Sequence, residues 1–298
     1  MDLDQLRTFI EVARLRSFSR AAEKVLRSQP TVSAQVRQLE QEYGQKFLDR
    51  TAKSVRLTPA GEMMLEYAKQ MLALRSKSLE ALSDCDSHPS GTLSIGANEG
   101  TFLYVLPQVF AKFHKKYPAV RISVYRNFSY KVIEKVEDGL IDLAVVTLPV
   151  KSPALEVVSI FREPLMLMVS SASPLAGRKS VSLAELAQQP IVMPKTGSIR
   201  KMIEKHLRPH REHLSITMEL SSVVMIKRFV GAGFGVSLIC STFARDNVQR
   251  GEVKLLKIEG LDLWRELGLV YRKQRSLPRS ASAFMELAKK ELLRGKQK

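Results

Sequence analysis

Residues 21–40 read Ala21-Ala22-Glu23-Lys24-Val25-Leu26-Arg27-Ser28-Gln29-Pro30-Thr31-Val32-Ser33-Ala34-Gln35-Val36-Arg37-Gln38-Leu39-Glu40. The pattern predicts two short helices joined by a tight turn. Ser28 or Gln29 can accept the free N–H groups at the start of the second helix, and Pro30 costs nothing where an N–H has no partner anyway. Val32, Val36 and Leu39 recur at i, i+4 and i+7, so one stripe packs inward. Pro30, Ala34, Arg37 and Gln38 then face outward, flanked near the helix start by Gln29, Thr31 and Ser33. A capped helix with small, amide, hydroxyl and Arg groups outermost is shaped to enter a DNA major groove. A surface helix pair in an all-α corner gives the same spacing.

The flanks carry the reading further. Leu6, Phe9, Ile10 and Ala13 predict an amphipathic first helix, and Ser17-Phe18-Ser19 supplies another cap. After Glu40 the chain runs through Tyr43-Gly44 and Phe47-Leu48 into a short basic hairpin ending near Arg56-Leu57-Thr58-Pro59-Ala60-Gly61. Residues 1–61 resemble the winged helix-turn-helix of LysR-type transcriptional regulators. That pattern of paired alanines and Glu, then Ser-Gln-Pro, Ser, Gln and Leu-Glu, stands here as Ala21, Ala22, Glu23, Ser28, Gln29, Pro30, Ser33, Gln35, Leu39 and Glu40. Tyr43 replaces the usual Leu before Gly44, and Phe47-Leu48 inverts the usual Leu-Phe; both keep apolar volume. Ala34 stands where many members carry Arg, which changes the base preference expected there.

The resemblance implies a sequence-specific transcriptional regulator, not an enzyme, acting on double-stranded promoter DNA as a homodimer or homotetramer. It also implies an interrupted palindromic operator, promoter bending, a small-molecule co-inducer and RNA polymerase as a further partner. Gln29 and Ser33 are placed for base edges beside Pro30, Thr31 and Ala34, while Arg37, Arg50, Lys53 and Arg56 are placed for phosphate or groove.

Charge agrees in direction only. The net charge is +17, but residues 1–90 carry 14 Lys and Arg against 12 Asp and Glu, a net of +2, and residues 91–298 carry 33 against 18, a net of +15. Phosphate contact therefore rests on local placement of Arg27, Arg37, Arg50, Lys53 and Arg56, and the basic remainder extends contact with bent DNA, favours an anionic ligand or, foremost, serves solubility. Cys85 and Cys240, far apart, provide no disulfide framework and read as ordinary thiols of a reducing compartment. No apolar run approaches membrane-spanning length, and Met1-Asp2-Leu3-Asp4 lacks the basic start of a signal peptide, so a cytoplasmic protein without a membrane partner is expected.

From Pro59 to about Asp86 no internal Pro occurs. Leu65, Ala68, Leu72, Leu79 and Leu82 follow a/d-like spacing, widened by Met64, Tyr67, Met71 and Leu74 and interrupted by Arg75. This predicts a long linker helix with no neighbouring helix in sequence to cover it, as in the dimerising helix of the resembled family. Ser87-His88-Pro89-Ser90-Gly91 ends it.

From Thr92 strands alternate with helices: 93–97, a helix over 102–117, 120–125, a helix over 130–137, then 142–147. A second set follows at 165–169, 190–193, 216–220 and 236–239, and 267–271 with a helix over 280–293 returns to the first. The alternation implies a parallel sheet flanked by helices, and the spans resemble the family's two-lobed effector domain. The chain is expected to cross between lobes near Phe161–Pro164 and Arg265–Gly268. The expected architecture is α/β overall. An all-α winged helix-turn-helix (1–58) and a linker helix (59–88) precede a periplasmic-binding-protein-type domain (91–298), with lobe I at 91–161 and 268–298 and lobe II at 162–267.

In such sheets ligands sit beyond the carboxyl ends of strands, and helix N-termini favour anions. That nominates Asn98, Thr101 and Phe102, then Asn127 and Ser129, then Thr147, with Thr196 and Ser198 opposite, for a small-molecule effector of the small-anion kind. Thr101 and Ser198 stand foremost, although each serves equally as a plain helix cap. Glu99 argues against a highly charged anion unless its carboxylate points away. Gly231-Ala232-Gly233-Phe234-Gly235 runs from helix to strand, the reverse of a dinucleotide fingerprint, and reads as a tight turn. His206, His210 and His213 lie near Glu212, but Pro209 breaks the helix that would gather them on a metal. No nucleophile elbow, zinc-protease or phosphate-loop signature occurs, so no cofactor or metal is expected. The competing class is a solute-binding or enzymatic α/β protein with an incidental N-terminal domain.

Overall fold

The computed structural model describes residues 1–51, 54–83, 88–208, 214–273 and 277–294. Lys53, Cys85, His210, Glu212 and His213 lie outside the described residues, as do the side chains of Arg50 and Leu82. The chain divides into two compact units, one built on residues 1–86 and the other on 87–137 and 141–298.

In the first unit, Asp2 opens α1 (Leu3–Leu15) by accepting the Asp4 N–H while Gln5 reaches back to the Asp2 N–H. This reciprocal cap satisfies donors that a helix start leaves free. Ser17 caps α2 (Phe18–Lys24) by accepting the Arg20 N–H at 3.3 Å, and Ser28 caps α3 (Gln29–Tyr43) by accepting that of Thr31, also at 3.3 Å. Leu26 closes the intervening turn at a left-handed φ of 54°. Leucine seldom adopts that conformation, and Leu26 is 91% exposed, so the packing on either side sets the turn. Leu6, Phe9, Val12, Ala21, Ala22, Val32, Val36 and Leu39 share one core; Val12 takes the buried place expected for Ala13.

Glu40 is buried and accepts the N–H groups of Phe47 at 2.9 Å and Leu48 at 3.1 Å. It thereby fixes where the chain enters the antiparallel wing, β1 (Leu48–Thr51) and β2 (Ser54–Leu57). α4 (Pro59–Ser83) follows. Glycine is needed at 61, since a Cβ there would lie 2.0 Å from the Phe47 carbonyl oxygen. No helix neighbouring in sequence covers α4, but one distant in sequence does. Because the wing turns the chain back, α4 packs on α1, burying Met64 and Ala68 and half-burying Leu65, Met71 and Leu72 in the same core. Farther along the stripe is bare, with Leu74 60% and Leu79 53% exposed.

The second unit has two lobes. The first holds β3 (Thr92–Ala97), α5 (Glu99–Tyr104), α6 (Pro107–Lys116), β4 (Arg121–Arg126), α7 (Ser129–Glu137) and β5 (Leu143–Thr147), with β3 parallel to both β4 and β5. The helix expected over 102–117 is two, because Pro107 cannot donate to the preceding turn and instead starts α6. β6 (Leu155–Ser170) then runs unbroken from one lobe into the other; the strand expected at 165–169 is its far end. The second lobe holds β7 (Ser180–Val181), α8 (Leu183–Ala187), β8 (Ile191–Pro194), α9 (Ser198–Leu207), β9 (Ile216–Leu220), α10 (Val223–Gly231), β10 (Ser237–Cys240), α11 (Ser241–Gln249) and β11 (Val253–Ile258). β12 (Trp264–Arg272) returns, and α12 (Arg279–Arg294) packs on the first lobe, where Phe284 meets Phe110 and Phe113.

The main sheet runs β4-β3-β5-β12-β6-β11-β7, with β10 also on β6. The parallel sheet expected from the alternation is corrected to a mixed one. β12 is antiparallel to β5 and β6, and β6 is antiparallel to β10 and β11. Local helix–strand alternation sets neighbouring pairs, but the direction of a strand arriving from the other lobe is set by the crossing. The two crossings pair directly, Glu163 opposite Arg265 and Pro164 opposite Trp264, with a register shift at Leu267/Gly268. Among the described residues no helix is long and apolar enough to cross a membrane.

Candidate functional site

In the first unit Gln29, Pro30, Thr31, Ala34 and Arg37 are exposed along one side of α3, with Ser33 half-buried among them and Arg56 exposed on β2. Gln29 Nε2 donates to Ser33 Oγ at 3.1 Å, one turn on, which steadies the amide over the helix start. Thr31 and Ser28 hydroxyls share a bond of 2.7 Å. The carboxylates of α3 are turned aside, Glu40 to the wing backbone and Glu42 to the Met1 ammonium at 2.5 Å. Gln35 and Gln38 anchor α3 to α1, accepting from Thr8 at 2.8 Å and Gln5 at 3.0 Å. Arg27, expected at phosphate, pairs with Asp4 at 2.9 Å. What stays outward is an amide, hydroxyls and arginines, a set that can pair with base edges and phosphates.

In the second unit a cavity of about 450 Å³ opens between the lobes. Asn98, Asn127, Ser129, Thr147, Thr196 and Ser198 line it. Thr101 and Phe102 do not. Asn98 caps α5 by accepting the Thr101 N–H at 2.9 Å, which turns Thr101 inward; it is fully buried, its hydroxyl accepting from Arg265 at 3.5 Å. Phe102 stacks on Phe110 instead.

The cavity brings in residues that the sequence did not single out. Arg265 is fully buried at the crossing, ion-paired with the buried Glu163 and lying 4.4 Å from the Phe243 ring centre. Glu163 in turn caps α11, accepting the Thr242 N–H at 2.9 Å and the Thr242 hydroxyl. Arg265 Nε and Thr147 Oγ1 are buried polar atoms without a hydrogen-bond partner. Thr147 pairs with Leu267 in the sheet, two residues from Arg265, so both side chains leave the same face. Ile199, Leu220, Ile226, Leu238 and Phe243 supply apolar wall. α9 starts at Gly197, φ 102°, without a side-chain cap. Glu99 reaches from the first lobe to the start of α10 in the second, where its Oε2 accepts the Val223 N–H at 3.1 Å, and its Oε1 lies 3.5 Å from Arg126. Cys240 is fully buried and burial pushes its thiol pKa up, which keeps it from forming a reactive thiolate. Among the described residues no cluster of His, Cys, Asp or Glu is placed to hold a metal. Apolar walls with a few convergent buried polar groups suit a small molecule bearing a hydrogen-bond acceptor.

Known proteins divide in the same way. Residues 3–62 match the family model described as a bacterial regulatory helix-turn-helix protein, lysR family, and residues 86–293 match the LysR substrate binding domain. A probable RuBisCO transcriptional regulator of Chlorokybus atmophyticus is 31% identical, with 95% of this chain and 92% of the relative covered. The HTH-type transcriptional activator CmpR of Synechocystis sp. is 28% identical over 95% of this chain and 93% of its own. In fold, full-length CbnR complexed with its target DNA matches at a TM-score of 0.78 over 97% of this chain and 99% of that one, at 21% identity.

Proposed function

The chain belongs to the LysR family of transcriptional regulators, DNA-binding proteins with an effector-binding domain and not enzymes, and from that footing we propose how it reads DNA and senses. Gln29 and Ser33 meet base edges in the major groove, while Arg37, Arg56, Arg50 and Lys53 meet phosphates. The bare stripe of α4 at Leu74 and Leu79 joins a second copy, giving a homodimer or a homotetramer, since two recognition helices are needed for two half-sites. RNA polymerase is the further partner at the promoter, and the cytoplasm is the compartment. A compact effector with an acid or other acceptor group binds between the lobes, against Thr147, Thr196, Ser198 and Arg265.

The observation that carries the sensing half is that Arg265 and Thr147, both in the cavity wall, each hold a buried polar atom without a partner, Nε and Oγ1. Buried polar groups are nearly always hydrogen-bonded, so two together in one cavity wall favour a ligand that accepts from both. A ligand can alter DNA binding only through its differential affinity for the two lobe arrangements, typically about 1–3 kcal/mol. The test selects an operator from random DNA with the full chain, screens central metabolites by thermal shift, and repeats the footprint with each binder. The expected result is a binder that changes the footprint and protects the amides of β5, β12 and α9 from exchange. A footprint-changing binder whose protection maps elsewhere would contradict the cavity as the sensing site.

A further inference from the structure

Among the described residues that line the cavity, Glu99 is the only carboxylate. Both of its oxygens are engaged, one with the Val223 N–H at 3.1 Å and the other near the Arg126 guanidinium at 3.5 Å. Val223 opens α10, a helix of 9 residues whose first N–H groups and dipole favour negative charge. Glu99 belongs to one lobe and α10 to the other, so this contact ties the lobes together. The Glu99 side chain is 25% and that of Arg126 66% exposed, which lets an incoming group reach both. Thr147 and Arg265, whose Oγ1 and Nε are buried without a partner, belong to the wall of the same cavity.

We infer that Glu99 is a resident stand-in for the acid group of the effector. It holds the start of α10 and Arg126 in the ligand-free protein, and an organic acid entering the cavity displaces it from both. The inference rests on the cavity being the effector site. The effector class that follows is a compact carboxylate bearing a second oxygen that accepts from Arg265 and Thr147. Exchanging one carboxylate for another keeps the charge at the start of α10 constant, and the released Glu99 turns to water at little cost. A neutral molecule has no such lever: it leaves Glu99 in place and the tie between the lobes intact. Glu99 therefore selects for acids although it is itself acidic, because it vacates the seat that it occupies.

The test uses the full chain and acetate, the smallest probe carrying the group in question. Thermal unfolding is followed in sodium acetate and in sodium chloride at matched ionic strength, for wild type, Glu99→Ala and Glu99→Gln. Wild type is expected to unfold at the same temperature in both salts. Glu99→Ala is expected to unfold earlier in chloride and to regain most of the loss in acetate, saturably, with acetate binding roughly tenfold or more tighter than to wild type, the worth of a charge-assisted hydrogen bond. Glu99→Gln keeps an acceptor at Val223 and fills the seat, so acetate should not shift it. Glu99→Ser, equally short, replaces the alanine variant if that one does not fold. The same acetate response in all variants, or none in Glu99→Ala and Glu99→Ser, would overturn the inference. A metabolite screen without a cavity binder defeats the sensing site itself and leaves the acetate result as it stands, so the two failures are told apart.

Discussion

Replacing Arg265 with Met removes one partner of an ion pair whose side chains are 0% and 3% exposed. Glu163 then keeps the donors at the start of α11, the Thr242 N–H and the Thr242 and Ser241 hydroxyls, together with the Cys240 thiol. Breaking a buried pair costs about 3–5 kcal/mol because the remaining charge stays desolvated. The surviving donors place Arg265→Met near the lower figure, about 3 kcal/mol. Glu163→Gln leaves Arg265 a neutral acceptor in place of its counter-charge, beside an Nε that already lacks a partner and a contact with Thr101 that is long at 3.5 Å, so its cost lies near 5 kcal/mol, about the upper figure. In a unit of this size each 1 kcal/mol moves the midpoint by about 2–4 °C. The expected losses are then about 6–12 °C for Arg265→Met and about 10–20 °C for Glu163→Gln. The double variant leaves no charge unpaired and should recover about 2 kcal/mol or more relative to the sum of the singles. The chain has a single tryptophan, Trp264, adjacent to Arg265 and stacked on Arg162 at 4.6 Å, so its fluorescence reports on this crossing during thermal or urea unfolding. Single losses under about 1 kcal/mol, or additive losses in the double variant, would refute the buried pair as the joint that holds the lobes.

Two further outcomes follow from exposure and burial. Leu79→Glu changes a side chain that is 53% exposed, so it should weaken self-association in sedimentation without lowering monomer stability; an unchanged dimer would move the interface off α4. Lys227 is buried over the Tyr104 ring at 4.2 Å, and burial pulls its pKa below the usual lysine value. The unfolded chain then binds the proton more readily than the fold between that lowered value and about 10.4, so wild type should gain stability relative to Lys227→Met as pH rises through that window. A difference that stays flat in urea titrations from pH 8 to 10.5 would count against it.

The helix-turn-helix was legible because its determinants are local. Ser17, Ser28, Pro30 and the Val32/Val36/Leu39 stripe act within one or two turns, and each does in the fold what its spacing indicates. The wing and the cavity rim were legible for the same reason, Ser198 and Asn127 lying at element ends. What was not legible depends on contacts distant in sequence. Arg265 stands at the expected crossing between lobes, but nothing in Trp264-Arg265-Glu266 marks it as buried; its burial comes from pairing with Glu163, over a hundred positions away. Thr101 was misplaced because Asn98 had already taken the cap, leaving the threonine to turn inward. The cover that α1 gives α4 likewise depends on the wing reversing the chain, which no heptad count contains.

The most direct measurement is the affinity of wild type, Gln29→Ala and Arg56→Ala for the selected operator and for random DNA across a salt series. Gln29→Ala should lose about 1–3 kcal/mol on the operator and almost nothing on random DNA, because an amide reads base edges. Arg56→Ala should weaken both DNAs alike and reduce the salt slope by about one unit, because it meets phosphate. Unchanged operator affinity in Gln29→Ala, or an equal loss on both DNAs, would contradict α3 as the helix that reads the sequence.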